Sequence, residues 1–474
     1  MFAGGHRRAK AIDLRRWFRR GRAFEGGAYL PKVKDRTAGQ AIQSFPAPGL
    51  VQVPMRQHDG AASTVAVQVG QRVEAGALLG RADEEGAVNV HAPLAGRVVA
   101  IDHVDTARHC SVLAVQLKPT ESGTAGAPAR SDTAPSRPEV WTAAALAQLA
   151  DEAGLIGAGE PAVGFGRQLR AAASGGTSDI IINALQCEPM LTAEEQLLNE
   201  SCGAILAAVT WLREALGARR VWLAADHGDR GALRRYRAAT AGTPVRVIGL
   251  RNKYPQDAPI LLAWSVTGRV TPCGQWPEDV GVLVVEPSTL AALAEVAHQR
   301  QPLTHRVITV TGPAARHAGH YRVPVGTRFA DVLTHVGLTG PVVRVIDGGP
   351  LTGQAVETLE AVVTKETRAV VLLDRDHDGI ASPGPCVRCG WCQEDCPVGL
   401  DPQALLDLVE RDRTAEAVNL NPQACVECGL CSYVCPAELP LAEAARQAKQ
   451  QAALARVSRM TLTETRRELG PQPK

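Results

Sequence analysis

The chain has 474 residues, 45% apolar and 21% charged, with a formal net charge of +2. That length exceeds what one compact core supports, so three or more domains are expected, and the near-neutral charge gives no argument for a nucleic-acid partner. Gly 45 and Pro 31 beside 4% aromatic residues point to turns and short strands rather than a helical bundle.

Residues 1–40 form a basic N-terminal segment. Arg7, Arg8, Lys10, Arg15, Arg16, Arg19, Arg20 and Arg22 stand against a single acid, Asp13. Three readings stay open: a solvated tail, an amphipathic surface helix bringing Ile12, Trp17 and Phe18 to lipid or an anionic partner, and an organelle-targeting segment. Residues 41–118 alternate short apolar runs with glycines, as in Val65-Ala-Val-Gln-Val69 before Gly70, and are expected to form a small β sandwich. The V-x-V-G-x-x-V-x-x-G pattern followed by H-A-P-L-A-G-R-V resembles a lipoyl-type barrel-sandwich hybrid. No lysine stands at the hairpin tip where such domains attach a prosthetic group, so a carrier role is not expected. Residues 119–138, PTESGTAGAPARSDTAPSRP, read as a linker.

Residues 139–300 are expected to form a Rossmann-like α/β domain. Alanine-rich helical stretches (141–153, 193–217, 288–300) alternate with strand runs at Ile180–Asn183, Val221–Ala225, Val245–Ile248 and Val282–Val285, the mark of a mostly parallel sheet. Residues 303–372 return to strands around a short helix at Arg328–Val336 and read as a β-grasp domain. Residues 375–450 form a helical, cysteine-bearing domain, and 451–474 a C-terminal helix and tail. No window of roughly 18 apolar residues occurs, so no membrane span is expected. There is no apolar signal-peptide core, so the chain is expected to stay where it is made.

Eight of the twelve cysteines fall into two runs, Cys386-x2-Cys389-x2-Cys392-x3-Cys396-Pro397 and Cys425-x2-Cys428-x2-Cys431-x3-Cys435-Pro436. In such a run three thiolates of one loop ligate one cubane, and the fourth ligates the neighbouring cluster. The expected assignment is Cys386, Cys389, Cys392 and Cys435 on one [4Fe–4S] cluster, and Cys425, Cys428, Cys431 and Cys396 on the other. Structural zinc needs four ligands and gives no reason for a third regular cysteine and a Cys-Pro in each run. Gly390 and Gly429 are expected to let the backbone approach sulfide closely. Cys110, Cys187, Cys202 and Cys273 read as buried thiols. The acids Glu394, Asp395 and Glu427 are expected to make it harder to add an electron to the nearby clusters.

Beyond the cysteines, Phe24-Glu-Gly-Gly27, Gln57-His58-Asp59-Gly60, Gly154-Leu-Ile-Gly157, Asn183-Ala-Leu-Gln-Cys-Glu-Pro189, Lys253-Tyr-Pro-Gln256, Thr309-Val-Thr-Gly312 and Gly348-Gly-Pro350 together resemble the C subunit of the Rnf ion-translocating electron-transport complex. That family in turn resembles the flavoprotein subunit of respiratory complex I. The resemblance runs from about residue 24 over nearly the whole chain. It implies a complex-I-flavoprotein-like α/β domain, a soluble-ligand-binding β-grasp (SLBB) domain and a two-cluster ferredoxin domain. It also implies FMN beside the two [4Fe–4S] clusters, with Gly157, Gly159, Asn183, Glu188 and Lys253 at an FMN/NADH site. The implied partners are membrane subunits of an Rnf-type complex and NADH or a ferredoxin, on the cytoplasmic side of the inner membrane, as part of an ion-translocating oxidoreductase.

The chain departs from the family at three places. In Gly154-Leu-Ile-Gly-Ala-Gly-Glu-Pro-Ala-Val-Gly-Phe-Gly-Arg-Gln-Leu169, Glu160 and Ala162 stand at glycines and Gln168 at a lysine, and Pro161 lacks an amide donor. Arg167 is the nearest replacement cation in sequence. Gln186 replaces the first acid of N-A-x-E-x-E-P, and Asp257 and Pro259 replace a glycine and an acid of Y-P-x-G-x-E. Two further readings therefore stand beside the electron-input subunit: a flavin-free iron–sulfur adaptor, and a cobalamin-reductase-like flavoprotein.

Overall fold

A computed structural model describes residues 24–84, 86–120, 140–157, 159, 162–379 and 382–468. The basic stretch 1–22, Glu160 and Pro161 lie outside the described residues, and so does most of the linker.

The first unit packs a four-stranded sheet on a three-stranded one. The larger has the order Val51–Pro54, Val112–Pro119, Gly96–Val104, Arg72–Val73, and the smaller Thr64–Val65, Leu78–Arg81, Val90–His91. Alternation sends Val51, Val53, Val98, Val115 and Leu117 inward against Leu79 and Val90. The strand Ile42–Ser44 leaves this unit and pairs parallel to Gly319–Pro324, at the edge of a mixed sheet further along the chain. That sheet continues through His305–Thr311, Ala369–Leu373, Arg344–Asp347 and Gln354–Ala355, and the helix Phe329–Val336 packs on it.

Between these units lies the parallel sheet expected for the α/β region, in the order Val245–Leu250, Arg220–Asp226, Asp179–Asn183, Val282–Val285. The central strand Asp-Ile-Ile-Ile-Asn is buried throughout, as a parallel strand covered on both faces must be. Ile180 and Ile182 face the helices Ala143–Glu152, Cys202–Leu216 and Pro287–Gln299. Ile181 faces the other way, onto the helix Pro259–Thr267 and onto Cys428, Leu430 and Val434 of the cysteine-bearing segment. Each such isoleucine contributes about 1.5–3 kcal/mol through burial. One sheet therefore carries the α/β core on one face and the second cysteine run on the other. Asp179 opens the central strand with no exposure, held by Arg220 at 2.7 Å, Arg269 at 3.2 Å and the Trp222 indole N–H at 3.0 Å.

Lys365 ties the three units together. It is buried in the loop before Ala369–Leu373, and its Nζ donates to the carbonyls of Asn89 at 2.8 Å and Gly154 at 2.7 Å. The last unit is helical: Trp391–Glu394 and Leu430–Tyr433 each follow a cysteine pair, and Pro402–Glu410 packs on the long helix Leu441–Glu468 through Leu405, Leu406, Leu441 and Ala445. Among the described residues no helix is long and apolar enough to cross a membrane.

Candidate functional site

The two cysteine runs fold as copies of one loop. In each, the residue two after the first cysteine has positive φ (Arg388 at 53°, Glu427 at 55°) and donates its N–H to that cysteine's sulfur at 3.4 Å. A left-handed glycine, Gly390 or Gly429, then starts a one-turn helix. A Cβ placed on Gly390 would have nothing within 4 Å, whereas at Gly429 it would come 2.2 Å from the Leu351 carbonyl oxygen. At Gly429 the close packing is therefore against a neighbouring loop.

Each fourth cysteine stands near the other run. Cys396 lies within electrostatic reach of Cys425, Cys428 and Cys431, and Cys435 and Cys389 within reach of Cys392. Burial first, and then Cys425 beside it, push the Cys431 thiol up to about 12, and burial raises Cys428 further. Thiols held protonated in this way need cationic irons to ionise them, and the donor set fits two four-thiolate clusters. Among the described residues no three of His, Cys, Asp and Glu close to the spacing of a single-ion site.

The Cys425 loop forms one wall of a cavity of about 770 Å³. Its floor is the carboxyl edge of the parallel sheet, where Asn183 ends one strand and Glu286 follows its neighbour. These two strands run to opposite sides in the winding order, so the crevice lies at the topological switch point where open α/β sheets bind ligands. Phe24, Tyr254 and Trp264 give aromatic walls, Thr352 and Arg368 come from the mixed-sheet unit, and Cys425, Cys428 and Lys449 close the far side.

The lining carries several acids, and two of them, Glu286 and Asp257, are held toward neutrality. Burial, and then Glu194, push Glu286 up to about 7. Burial likewise raises Asp257, whose carboxylate accepts the Cys187 N–H at 2.9 Å. Asn183 donates to the Asp257 carbonyl at 2.9 Å, while its buried Oδ1 has no hydrogen-bond partner. An unpaired acceptor at an aromatic-walled cavity of this size suits a ring N–H of a flavin. Arg368 and Lys449 are the cations on the lining for an anionic end. The residues therefore fit FMN.

Of the residues singled out from sequence, the cavity brings together Gly159, Asn183 and Glu188. Glu188 is bound by the loop opposite: Oε1 accepts from the N–H groups of Leu351 at 2.7 Å and Thr352 at 2.9 Å, and Oε2 from the Thr352 hydroxyl at 2.8 Å. Gly157 lies behind the lining, against the side chain of Gln168, which donates to buried Glu278 at 2.7 Å. Lys253 sits at the N-terminal strap instead, donating to the Phe24 carbonyl at 3.0 Å with its ammonium 4.7 Å from the Phe24 ring centre. Arg167 is exposed near Gly86 of the first unit and takes no part in the cavity.

Two expectations change. Cys187 is buried, but Cys110 and Cys273 are exposed and Cys202 is half-buried, and Cys273 is on the cavity lining. Glu427 is neutralised by Lys449 at 2.6 Å and Arg446 at 3.4 Å, so it does not act as a lone negative charge beside its cluster. Sequence reasoning missed Tyr254, Glu286, Arg368 and Lys449 as cavity residues. Glu286 had a signal, since it follows a buried strand in a parallel sheet. Lys449, on the last helix, had none.

A switch-point cavity walled by a cysteine loop that suits a cubane defines an iron–sulfur electron-transfer protein. Comparison with known proteins agrees domain by domain: residues 22–122 match the RnfC barrel sandwich hybrid domain, 150–295 the Nuo51 FMN-binding domain, and 385–439 a 4Fe-4S dicluster domain. The chain is 30% identical to the C subunit of the ion-translocating oxidoreductase complex of Rhodobacter capsulatus, over 80% of this chain and 73% of that one. It is 29% identical to the C subunit of the proton-translocating ferredoxin:NAD(+) oxidoreductase complex of Clostridium ljungdahlii, covering 84% and 86% of the two chains. To the C subunit of the Na(+)-translocating ferredoxin:NAD(+) oxidoreductase complex of Acetobacterium woodii it is 28% identical, covering 82% and 88%. The chain belongs to the RnfC family, the C subunits of ion-translocating oxidoreductase complexes.

Proposed function

We propose that this chain is the peripheral electron-input subunit of an Rnf-type membrane complex, passing electrons between NADH or a ferredoxin-side partner and membrane subunits. The observation that carries the proposal is that Cys425 and Cys428 stand on the wall of the cavity in the FMN-binding domain. The proposed site residues are Gly159, Asn183 and Glu188 at the cavity, with Cys386, Cys389, Cys392 and Cys435 on one cluster and Cys425, Cys428, Cys431 and Cys396 on the other. The mixed-sheet unit is proposed to be the SLBB β-grasp domain, and the working side of the membrane the cytoplasmic one.

FMN, when bound, exchanges a hydride for single electrons. This chain's residues supply the setting. Asn183 Oδ1 offers the acceptor that orients the ring. Glu286, pushed up to about 7 by burial, exchanges a proton at its carboxyl near neutral pH, so it can donate as well as accept. Phe24, Tyr254 and Trp264 exclude water. The Tyr254 hydroxyl donates to the Cys428 carbonyl at 2.5 Å, so one side chain spans from the cavity wall to the cluster loop. From that loop the crossed cysteines lead to Cys386 and Cys389, which are exposed and can face a partner.

The flavin-free adaptor is the second reading, favoured by Gln168 at the family's lysine and its engagement with Glu278. Chemical analysis of anaerobically purified protein separates the two. About eight irons, about eight sulfides and about one flavin per chain are expected. Full clusters with no flavin would establish the adaptor, and two zincs without sulfide would end both readings.

A further inference from the structure

Lys449 stands on the last helix and reaches back into the second cysteine loop. Its Nζ donates to the Cys425 carbonyl at 2.9 Å and to Glu427 Oε1 at 2.6 Å, and its side chain is 27% exposed. Arg446, one turn earlier, meets Glu427 Oε2 at 3.4 Å and is itself paired with the half-exposed Glu443 at 2.6 Å. In the other loop the position of Glu427 is taken by Arg388.

Adding an electron to a cluster adds negative charge inside the protein. A fixed cation at one ligand's carbonyl stabilises that reduced state, and partial burial keeps water from screening it. Lys449 also lines the cavity together with Cys425 and Cys428, so one ammonium stands beside both the cavity and the cysteine loop.

We propose that Lys449 is a positioning residue for electron transfer: its ammonium raises the reduction potential of the cavity-side cluster, making that cluster the first resting place of an electron leaving the cavity. This rests on the two-cluster reading above. The structure assigns Glu427 the opposing part, a carboxylate that orients Lys449 and offsets some of its effect.

The test is a redox titration of the full chain, followed by electron paramagnetic resonance, with the cavity-side signal identified as the one missing from Cys428→Ser. Lys449→Gln should lower that cluster's potential, leaving it about tenfold less reduced at a fixed poise, or about 59 mV for a one-electron couple. Glu427→Gln should raise it, Lys449→Arg should restore it, and the other cluster should move less. A purely structural role predicts that both glutamine variants shift the same way or lose iron together. That outcome, or no shift in either variant with iron content intact, overturns the proposal. If Lys449→Gln loses its cluster, the sign of the Glu427→Gln shift decides alone. Wild-type protein without [4Fe–4S] signals would remove the two-cluster reading itself, a failure distinct from the others.

Discussion

The two cysteine loops share a spacing, a left-handed residue, a hydrogen bond to sulfur and a glycine-started helix turn, yet they live in different surroundings. In the first, Cys386 and Cys389 are exposed and Val387 is 64% exposed. In the second, Cys428 and Leu430 are buried against the parallel sheet, Gly429 meets the Leu351 carbonyl, Tyr254 holds the Cys428 carbonyl, and Lys449 holds the Cys425 carbonyl. An internal repeat thus yields two unlike redox sites. The motif sets the ligands, and the units packed around it set access and electrostatics.

The largest expected effect tests the crossing of ligands. Cys396→Ser should damage the cluster of the Cys425 loop, leaving the Cys386, Cys389 and Cys392 cluster with its own spectrum. Loss of the signal from its own run would refute the crossed assignment.

The glycines give the next contrast. Both have positive φ, so an alanine at either costs about 1–2 kcal/mol, but Gly429→Ala also drives a methyl into a backbone carbonyl and should destabilise clearly more than Gly390→Ala in thermal unfolding. Equal losses would mean that the two loops are equally free.

On the cavity floor, Glu286 has its folded pKa raised to about 7 from 4.5. A carboxyl raised in the folded state adds most to stability below its unfolded pKa, and that contribution is lost as pH rises through the folded one. Glu286→Gln should therefore be near neutral at pH 4–5 and stabilising at pH 8, by up to about 3 kcal/mol at 1.36 kcal/mol per unit. A pH-independent effect would contradict the assigned burial. The smallest expected effect is that of Tyr254→Phe, which removes one hydrogen bond to the Cys428 carbonyl and should cost about 1 kcal/mol, read as a lower melting temperature of the cluster-loaded protein.

Much of this was legible in the sequence because it is local. Cysteine spacing marks the two loops, and the run Ile180–Asn183 between alanine-rich helices marks a parallel strand. What escaped is set by distant pairing. Nothing periodic announces that Ile42–Ser44 joins a sheet far along the chain, or that Lys449 returns to Cys425. Glu427 looked like a bare acid because its two cations come from a later helix. Lys253 opens the stretch Lys253–Gln256, but its partner is the Phe24 strap, and Tyr254 beside it is what reaches the cavity lining.

Electrons are expected to pass from the cavity to the Cys425-loop cluster before reaching the exposed one. Rapid mixing of anaerobic protein with NADH, followed optically and by freeze-quenched paramagnetic resonance, resolves this order. The expected result is flavin bleaching, then reduction of the cavity-side cluster, with the exposed cluster remaining oxidised in Cys428→Ser. Reduction of the exposed cluster by NADH at an unchanged rate in that variant would contradict the claim.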